Sequence, residues 1–502
     1  MHDASSRIRS LVVVLLLAVV PRGASAQGDK SKSDDGTKPA PPPASLLKGD
    51  VQPIDLCSAM KLAGVYNPEI LVARQRVAEA DARRQLAAAQ ILPTINAGTN
   101  LDHHQGNLQQ SSGRIITVNR DSVYFGLGSN AVAAGTVNIP GIVWNGNVSD
   151  QIYASLVSRQ VVKQRQFESD AVRNDVLGRV AVAYVELLRA TGRRAVILQT
   201  RGESAEVARL TANFAKKGQG RQADADRAAA ELQLRDDELL QAEADLQIAS
   251  ARLAQLLRLD PSVRLYPTDG WVVPAPIVPD PIPLPELLAI ALTQRPELRA
   301  RQAAIRAAFL ELQAAKVLPF SPNYLVGYST GSFGGGSNLV AQSTGQSRLG
   351  SFDNRQDFDA ILYWSVRNLG VGNLALVKIA RSNLRQDELR LLEALDRVRT
   401  EVAAANARVH SRHAQIDINE QAVGTSGKAF EQDLLRARNL EGLPIELLDS
   451  LRLLERSRLA YLDAIIDYNR AQFELYVALG QPPACTLSRP VPSSLVPAPE
   501  PK

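Results

Sequence analysis

The chain has 502 residues, with 57 basic and 52 acidic side chains and a formal net charge of +5. That excess is small for the length and argues against a nucleic-acid binder, which gathers many more cations on one face. A charged fraction of 22% excludes a multi-span membrane protein, and two cysteines with five histidines leave little material for a zinc or iron–sulfur site.

The chain opens like an address. Arg7 and Arg9 precede an apolar run over 11–20, and Ala24-Ser25-Ala26 supplies small residues for a signal peptidase. The run is too short for a membrane helix, which needs about 20 residues. Residues 1–26 are therefore expected to be a signal peptide. With the first cysteine at Cys57, no lipid anchor is expected at the cleavage site. Residues 27–50 read as a disordered, proline-rich leader, carrying Pro41-Pro42-Pro43. A second proline-rich stretch, 267–285, separates two segments of the same plan, 51–266 and 286–483. A third, 484–502, closes the chain. No later segment has about 18 consecutive apolar residues, so no transmembrane helix is expected.

Each repeat starts with a helix. Asn67-Pro68-Glu69 and Arg295-Pro296-Glu297 put proline at the first helical position, where its missing N–H costs nothing, and a carboxylate at the positive helix end. Leu92-Pro93 and Leu318-Pro319 end the two helices. The period then changes from 3.6 to 2. Ile95, Ala97, Thr99 and Leu101 alternate with polar residues, as do Tyr324, Val326 and Tyr328 with their neighbours. Each reads as one strand, followed by polar loops over 103–120 and 334–354. Return strands follow, with Val123, Phe125 and Leu127 on one face of the first and Ala360, Leu362, Trp364 and Val366 on one face of the second. Each hairpin has an apolar face and no comparable apolar surface to cover it. Very long proline-free helices come next, over 148–217 and 374–439, each about 100 Å at 1.5 Å per residue. Both turn at glycine, and shorter helices return to Leu257 and Leu479. Heptad spacing appears at Ala242, Leu246, Ala249 and Leu253, and again at Leu447, Leu451 and Leu454.

The expected class is mainly α with a small β part: a strand hairpin plus a long helical hairpin, duplicated. Four strands cannot close a barrel, which takes about eight. Open edges are not tolerated in lipid, where unpaired backbone groups cost several kcal/mol each. Strands of this kind entering a membrane must therefore be pooled by several chains.

The order of these motifs resembles the TolC-like outer-membrane efflux proteins of Gram-negative bacteria. The resemblance rests on Asn67-Pro68-Glu69, Leu92-Pro93 and Ala183-Tyr184-Val185-Glu186-Leu187-Leu188. Trp364-Ser365-Val366-Arg367-Asn368-Leu369-Gly370 and Ala478-Leu479-Gly480-Gln481-Pro482-Pro483 complete it. It covers 55–483, both repeats in order. It implies a homotrimer with a 12-stranded β-barrel on an α-helical tunnel, the two shorter helices of each repeat stacked beside the long one. It further implies an outer-membrane channel passing solutes out of the periplasm, in contact with outer-membrane lipid. Its partners would be a periplasmic adaptor (membrane fusion) protein and an inner-membrane pump or ABC exporter, as the exit duct of an efflux or type I secretion system. The alternative is a periplasmic coiled-coil adaptor or scaffold without a barrel.

No catalytic constellation and no cofactor or metal spacing stands out. His410 with His413, and His103 with His104, read as ordinary solvated residues. In the family, acidic residues just after the second glycine turn ring the tunnel mouth, which implies Glu446 and Asp449 as pore-gate candidates ahead of Asp224. The competing reading is that first-turn carboxylates simply complement the helix dipole. The family also places both chain ends in a belt around the tunnel. That implies a possible disulfide between Cys57 and Cys485, against two unrelated small residues.

Overall fold

A computed structural model describes residues 51–132, 135–268, 272–279, 282–338, 352–439 and 441–483. They fall in one unit, Gly49–Lys502. The expected signal peptide, the leader, the tail with Cys485, and residues 269–271 and 280–281 of the proline-rich connector lie outside the described residues.

The helices begin where capping chemistry allows. Asp55 accepts from the Ser58 N–H at 3.2 Å and starts α1 (Leu56–Tyr66). Asn67 accepts from the Glu69 N–H at 2.9 Å and starts α2 (Pro68–Ala89), with Pro68 in its first turn. The long helix α3 (Val148–Lys216) has 69 residues and is capped by Asn147. It turns back through Gly218, at φ 70°, into α4 (Gln222–Leu257). The second half repeats the series with α5 (Leu284–Gln294), α6 (Pro296–Val317), α7 (Val371–Arg438) and α8 (Pro444–Ala478).

In each half the two shorter helices meet end to end beside the long one. The Asn67 amide, at the start of α2, donates to the Leu256 carbonyl at the end of α4, at 3.0 Å. The Arg295 Nε, at the start of α6, donates to the Ala478 carbonyl at the end of α8, at 2.9 Å. The second junction requires glycine. Gly480 has φ 83°, and a Cβ there would sit 2.9 Å from the Arg295 nitrogen. Helix α3 packs on α2, α4, α6 and α8, and α7 packs on α6 and α8. The helices thus form one layer.

One face of that layer carries α1, α5 and the connector. Leu56, Ala59, Met60 and Ala63 of α1 pack on Leu177, Val180, Ala181 and Tyr184 of α3. Leu287 and Ala291 of α5 pack with Val398, Val402 and Ala405 of α7 and Tyr468 of α8. The Gln472 side chain accepts from the Ile277 and Val278 N–H groups and fastens the connector to α8. Strand β1 (Val51–Ile54) pairs in parallel with β7 (Arg264–Pro267), so the start of the first half lies beside its end, where the connector begins.

The remaining strands form one antiparallel sheet. They are β2 (Thr94–Ile95), β3 (Ala97–Gln109), β4 (Ile115–Ser129), β5 (Ile139–Pro140), β6 (Ile142–Asn147), β8 (Asn323–Ser337) and β9 (Asp353–Tyr363). Strand β8 has β9 on one side; on the other it pairs first with β6, over Asn323–Tyr328, and then with β4, over Thr330–Ser337. Strands β2 and β3 likewise pair with β6 and β4 in turn. Apart from β5, which pairs only with the end of β4, the strands therefore occupy four positions, an up-and-down meander. Three boundaries differ from the sequence reading. The loop expected over 334–354 loses its ends to β8, which runs to Ser337, and to β9, which starts at Asp353, and its residues 339–351 lie outside the described residues. The loop expected over 103–120 shrinks to 110–114, because β3 and β4 run on to the hairpin tip. Trp364 and Val366, expected on the last strand, lie beyond it, β9 ending at Tyr363.

Candidate functional site: sheet faces and helix tips

Cross-strand register sorts the sheet's side chains. Ala97, Thr99 and Leu101 stand beside Leu127, Phe125 and Val123 on one face. Trp144 pairs with Val326 and Ile142 with Tyr328 on that face, followed by Ala360 and Phe358. Leu101, Phe125, Phe358 and Leu362 are all more than half exposed. The opposite face carries Asn100, Asp102, His104, Ser122, Ser329, Arg355, Asp357 and Asp359, by the same register. A sheet with one exposed apolar face and one polar face matches the alternation of a barrel wall between lipid and water. Among the described residues β3 pairs only with β4 and β9 only with β8, so both long edges are open. No helix among the described residues is long and apolar enough to cross a membrane.

At the far end of the helices the two hairpin turns share a core of Val207, Ala228, Phe430, Leu447, Leu448, Leu451 and Leu454. Glu446 sits in the first turn of α8. Its carboxylate accepts from the Leu443 N–H at 3.4 Å, reaching back over the helix start, and lies 3.6 Å from Arg436 of α7. Asp449, one turn on, is 68% exposed, with Arg452 3.7 Å away. Asp224 occupies the first turn of α4, 3.3 Å from Arg227. Glu446 therefore does helix-capping work, while Asp449 is the freest of the three carboxylates. Cys57 lies half-buried in the first turn of α1. His413 packs edge-on against Tyr468 at 5.3 Å, and His103 pairs with Asp121 on the sheet. No group of three or more metal-ligating side chains occurs among the described residues.

No protein-family model matches the chain. Protein CyaE of Bordetella pertussis is 28% identical over 318 residues, 62% of this chain, and the chain spans only 60% of that relative's length. The outer-membrane channel OprN superimposes with a TM-score of 0.66 at 20% identity, over 84% of this chain and 89% of OprN. The open state of the Neisseria gonorrhoeae MtrE outer-membrane channel gives 0.63 at 19% identity, over 85% and 89%. The fold is that of the TolC-like channels.

Within this TolC-like frame, sequence reasoning missed one cluster near the tip. Glu231 and Arg235 of α4 meet Glu455 of α8, and all three are at least nine-tenths buried. Arg235 bonds Glu231 at 2.7 Å and Glu238 at 2.5 Å and pairs with Glu455. Arg452 reaches Glu231 from α8 at 2.6 Å. Hydrogen bonding from Arg452 holds the Glu231 carboxyl below its usual range, and burial pushes Glu455 above its own. The i, i+4 spacing of Glu231 and Arg235 was the available signal, but it is also what a solvated helix face shows.

Proposed function

We propose that this chain is one subunit of an outer-membrane channel. Three copies would pool their strands into a twelve-stranded barrel, with the helices continuing into the periplasm as a tunnel. The observation that carries this reading is the sheet of four strand positions, apolar on one face, polar on the other and open at both edges. Unpaired edges are not tolerated in lipid, and closing the sheet against neighbouring copies removes them. The channel would act as the exit duct of an efflux or type I secretion system, docked to a periplasmic adaptor and an inner-membrane pump or ABC exporter. The rival reading, an adaptor or scaffold without a barrel, leaves the apolar sheet face without a use. In this proposal 51–266 and 286–483 are the two repeats, after a cleaved 1–26 and the leader 27–50, joined by 267–285 and followed by the tail 484–502.

Glu446 and Asp449, with Asp224 behind them, are proposed to line the periplasmic mouth. Three copies of two carboxylates in a narrow, poorly screened opening would favour cations. Outer-membrane extracts should contain a detergent-stable trimer that conducts in planar bilayers with cation preference. The double variant Glu446→Ala/Asp449→Ala should lose much of that preference. Its stability should fall little, since first-turn carboxylates contribute about 0.3–1 kcal/mol each through the dipole. Unchanged selectivity in an intact trimer would leave the two residues as helix caps. A stable, detergent-free periplasmic monomer would end the channel reading itself.

The second proposal joins Cys57 to Cys485. No free cysteine occurs among the described residues, and an exported chain meets an oxidising compartment. Mass spectrometry of non-reduced peptides should recover 57 and 485 as one cross-linked species, and Cys57→Ser should lower the melting temperature. The stabilisation lost is about 2–4 kcal/mol, the usual range for a bridge. Alkylation of both thiols without prior reduction would refute the pairing.

A further inference from the structure

Between β4 and β6 the chain leaves the line of the wall and returns, held to it at the neck where β5 pairs with the end of β4. The register measures the detour: Leu127 faces Thr330 and Ile142 faces Tyr328, so one residue of β8, Ser329, stands opposite the whole of 128–141. The described parts of the detour, 130–132 and 135–138, do not extend the hairpin. They lie back on the polar face. Ala131 and Val137 are buried there against Tyr124, itself 0% exposed, with Phe333 beside them.

This strap is fastened from three sides. The Asn100 amide on β3 donates to the Ala131 carbonyl at 3.2 Å and accepts from the Ala131 N–H at 3.1 Å, imitating a strand pair. The Asn138 N–H donates to the Asn130 carbonyl at 3.4 Å and closes the neck. From β9, the Arg355 guanidinium donates to the Gly135 carbonyl, bonds Asp357 at 2.8 Å and lies 5.0 Å above the Phe333 ring. The floor is cut to fit: a Cβ on Gly331 would stand 2.8 Å from the Tyr124 ring. Strap, anchors and floor thus come from β3, β4, β8 and β9, all four strand positions.

We infer that the strap is a constriction inside the barrel that limits the size of solute passing its outward half. The inference rests on the channel reading above, which makes the polar face the lumen. A strap on that face subtracts from the bore once per subunit, and pore width at its narrowest ring sets the largest permeant. Its contacts are packed and hydrogen-bonded, so the narrowing is a fixed feature of the wall.

Thiol labelling on intact cells tests the constriction independently of the tip. Leu108 and Asn145 are on the polar face by register, on the hairpin side and the helix side of the strap respectively. With the strap intact, Leu108→Cys should react from outside with both N-ethylmaleimide and a large polyethylene-glycol maleimide. Asn145→Cys should react with the small reagent only, a loss of labelling of about tenfold or more with the large one. Deleting 129–141 joins Gly128 to Ile142 and places Gly128 opposite Ser329, in register. That deletion should restore labelling of Asn145→Cys by the large reagent, and Arg355→Ala with Asn100→Ala, which frees the strap without shortening the chain, should restore it in part. Equal labelling of both positions by the large reagent with the strap intact overturns the constriction and leaves the channel standing. No labelling of Leu108→Cys by either reagent overturns the barrel, and the constriction with it.

Discussion

Arg235→Ala should be the most damaging single substitution in the helices, costing about 3–5 kcal/mol. The arginine is the cation shared by Glu231, Glu238 and Glu455. Removing it leaves Glu455 without a cation in a site where burial already disfavours its charge, and leaves Glu231 to Arg452 alone. A buried charge stripped of its partner costs more than the intact pair contributed. Replacing the group with matched apolar residues, as in Arg235→Met/Glu455→Leu, should recover most of the loss. Chemical unfolding of the solubilised protein, followed by helical circular dichroism, distinguishes these outcomes. Equal loss in single and double variants would mean that packing volume, not charge, governs the site. The two carboxyls pull opposite ways with pH. Glu231, held low, contributes stability that is present above the ordinary glutamate range and disappears as pH falls through its folded value. Glu455, held high, contributes stability present below the ordinary range and lost as pH rises through its raised value.

Phe125→Arg should nearly abolish the mature assembly. Phe125 is 51% exposed on the apolar face, between Thr99 of β3 and Ser332 of β8. An arginine on the lipid face near the bilayer midplane costs about 2–4 kcal/mol per copy, and every subunit carries one. On the polar face of the same sheet, Asp359→Arg should insert normally and alter only ion preference. Heat-resistant trimer in the outer-membrane fraction, compared between the two variants, is the measurement. Equal yields would mean that the sheet does not face lipid.

The helical plan was legible because its signals are local. Asn67-Pro68-Glu69 and the glycine turns act within one helical turn, and the structure places boundaries within a few residues of where they point. The sheet was half legible. Its apolar alternation marks the part of each strand that faces away from the polar side, but above Leu101 both faces of β3 turn polar, with His103, His104 and Gln105. A strand polar on both sides reads as a loop, which is why 103–120 was expected to be one. The strap was hidden for another reason. Val137 and Ile139 continue the alternation of β4 in sequence, yet Val137 lies on the strap and Ile139 on β5, which turns back to pair with the end of β4 rather than extending it. The ion cluster was not legible at all. Nothing around Glu231 and Arg235 in sequence distinguishes them from the solvated pairs elsewhere on the helices; their burial comes from α3, on which α4 packs, together with Arg452 and Glu455 of α8.

The central ladder of the sheet, β4 against β8, joins the two halves of the chain, and its tip bond from the Asn119 N–H to the Asn338 side chain spans 219 residues. Loop closure over such a distance is slow compared with forming a hairpin. During synthesis the first hairpin, β3 with β4, is complete while everything that covers its far edge is still unmade. A chain interrupted between Ser129 and Asn323 would therefore carry a long, half-apolar hairpin with unpaired backbone on both edges, an adhesive end rather than a half-working part. The duplication that doubles the wall also sets a period of vulnerability in the life of each molecule, as long as it takes to make α3, α4, the connector, α5 and α6.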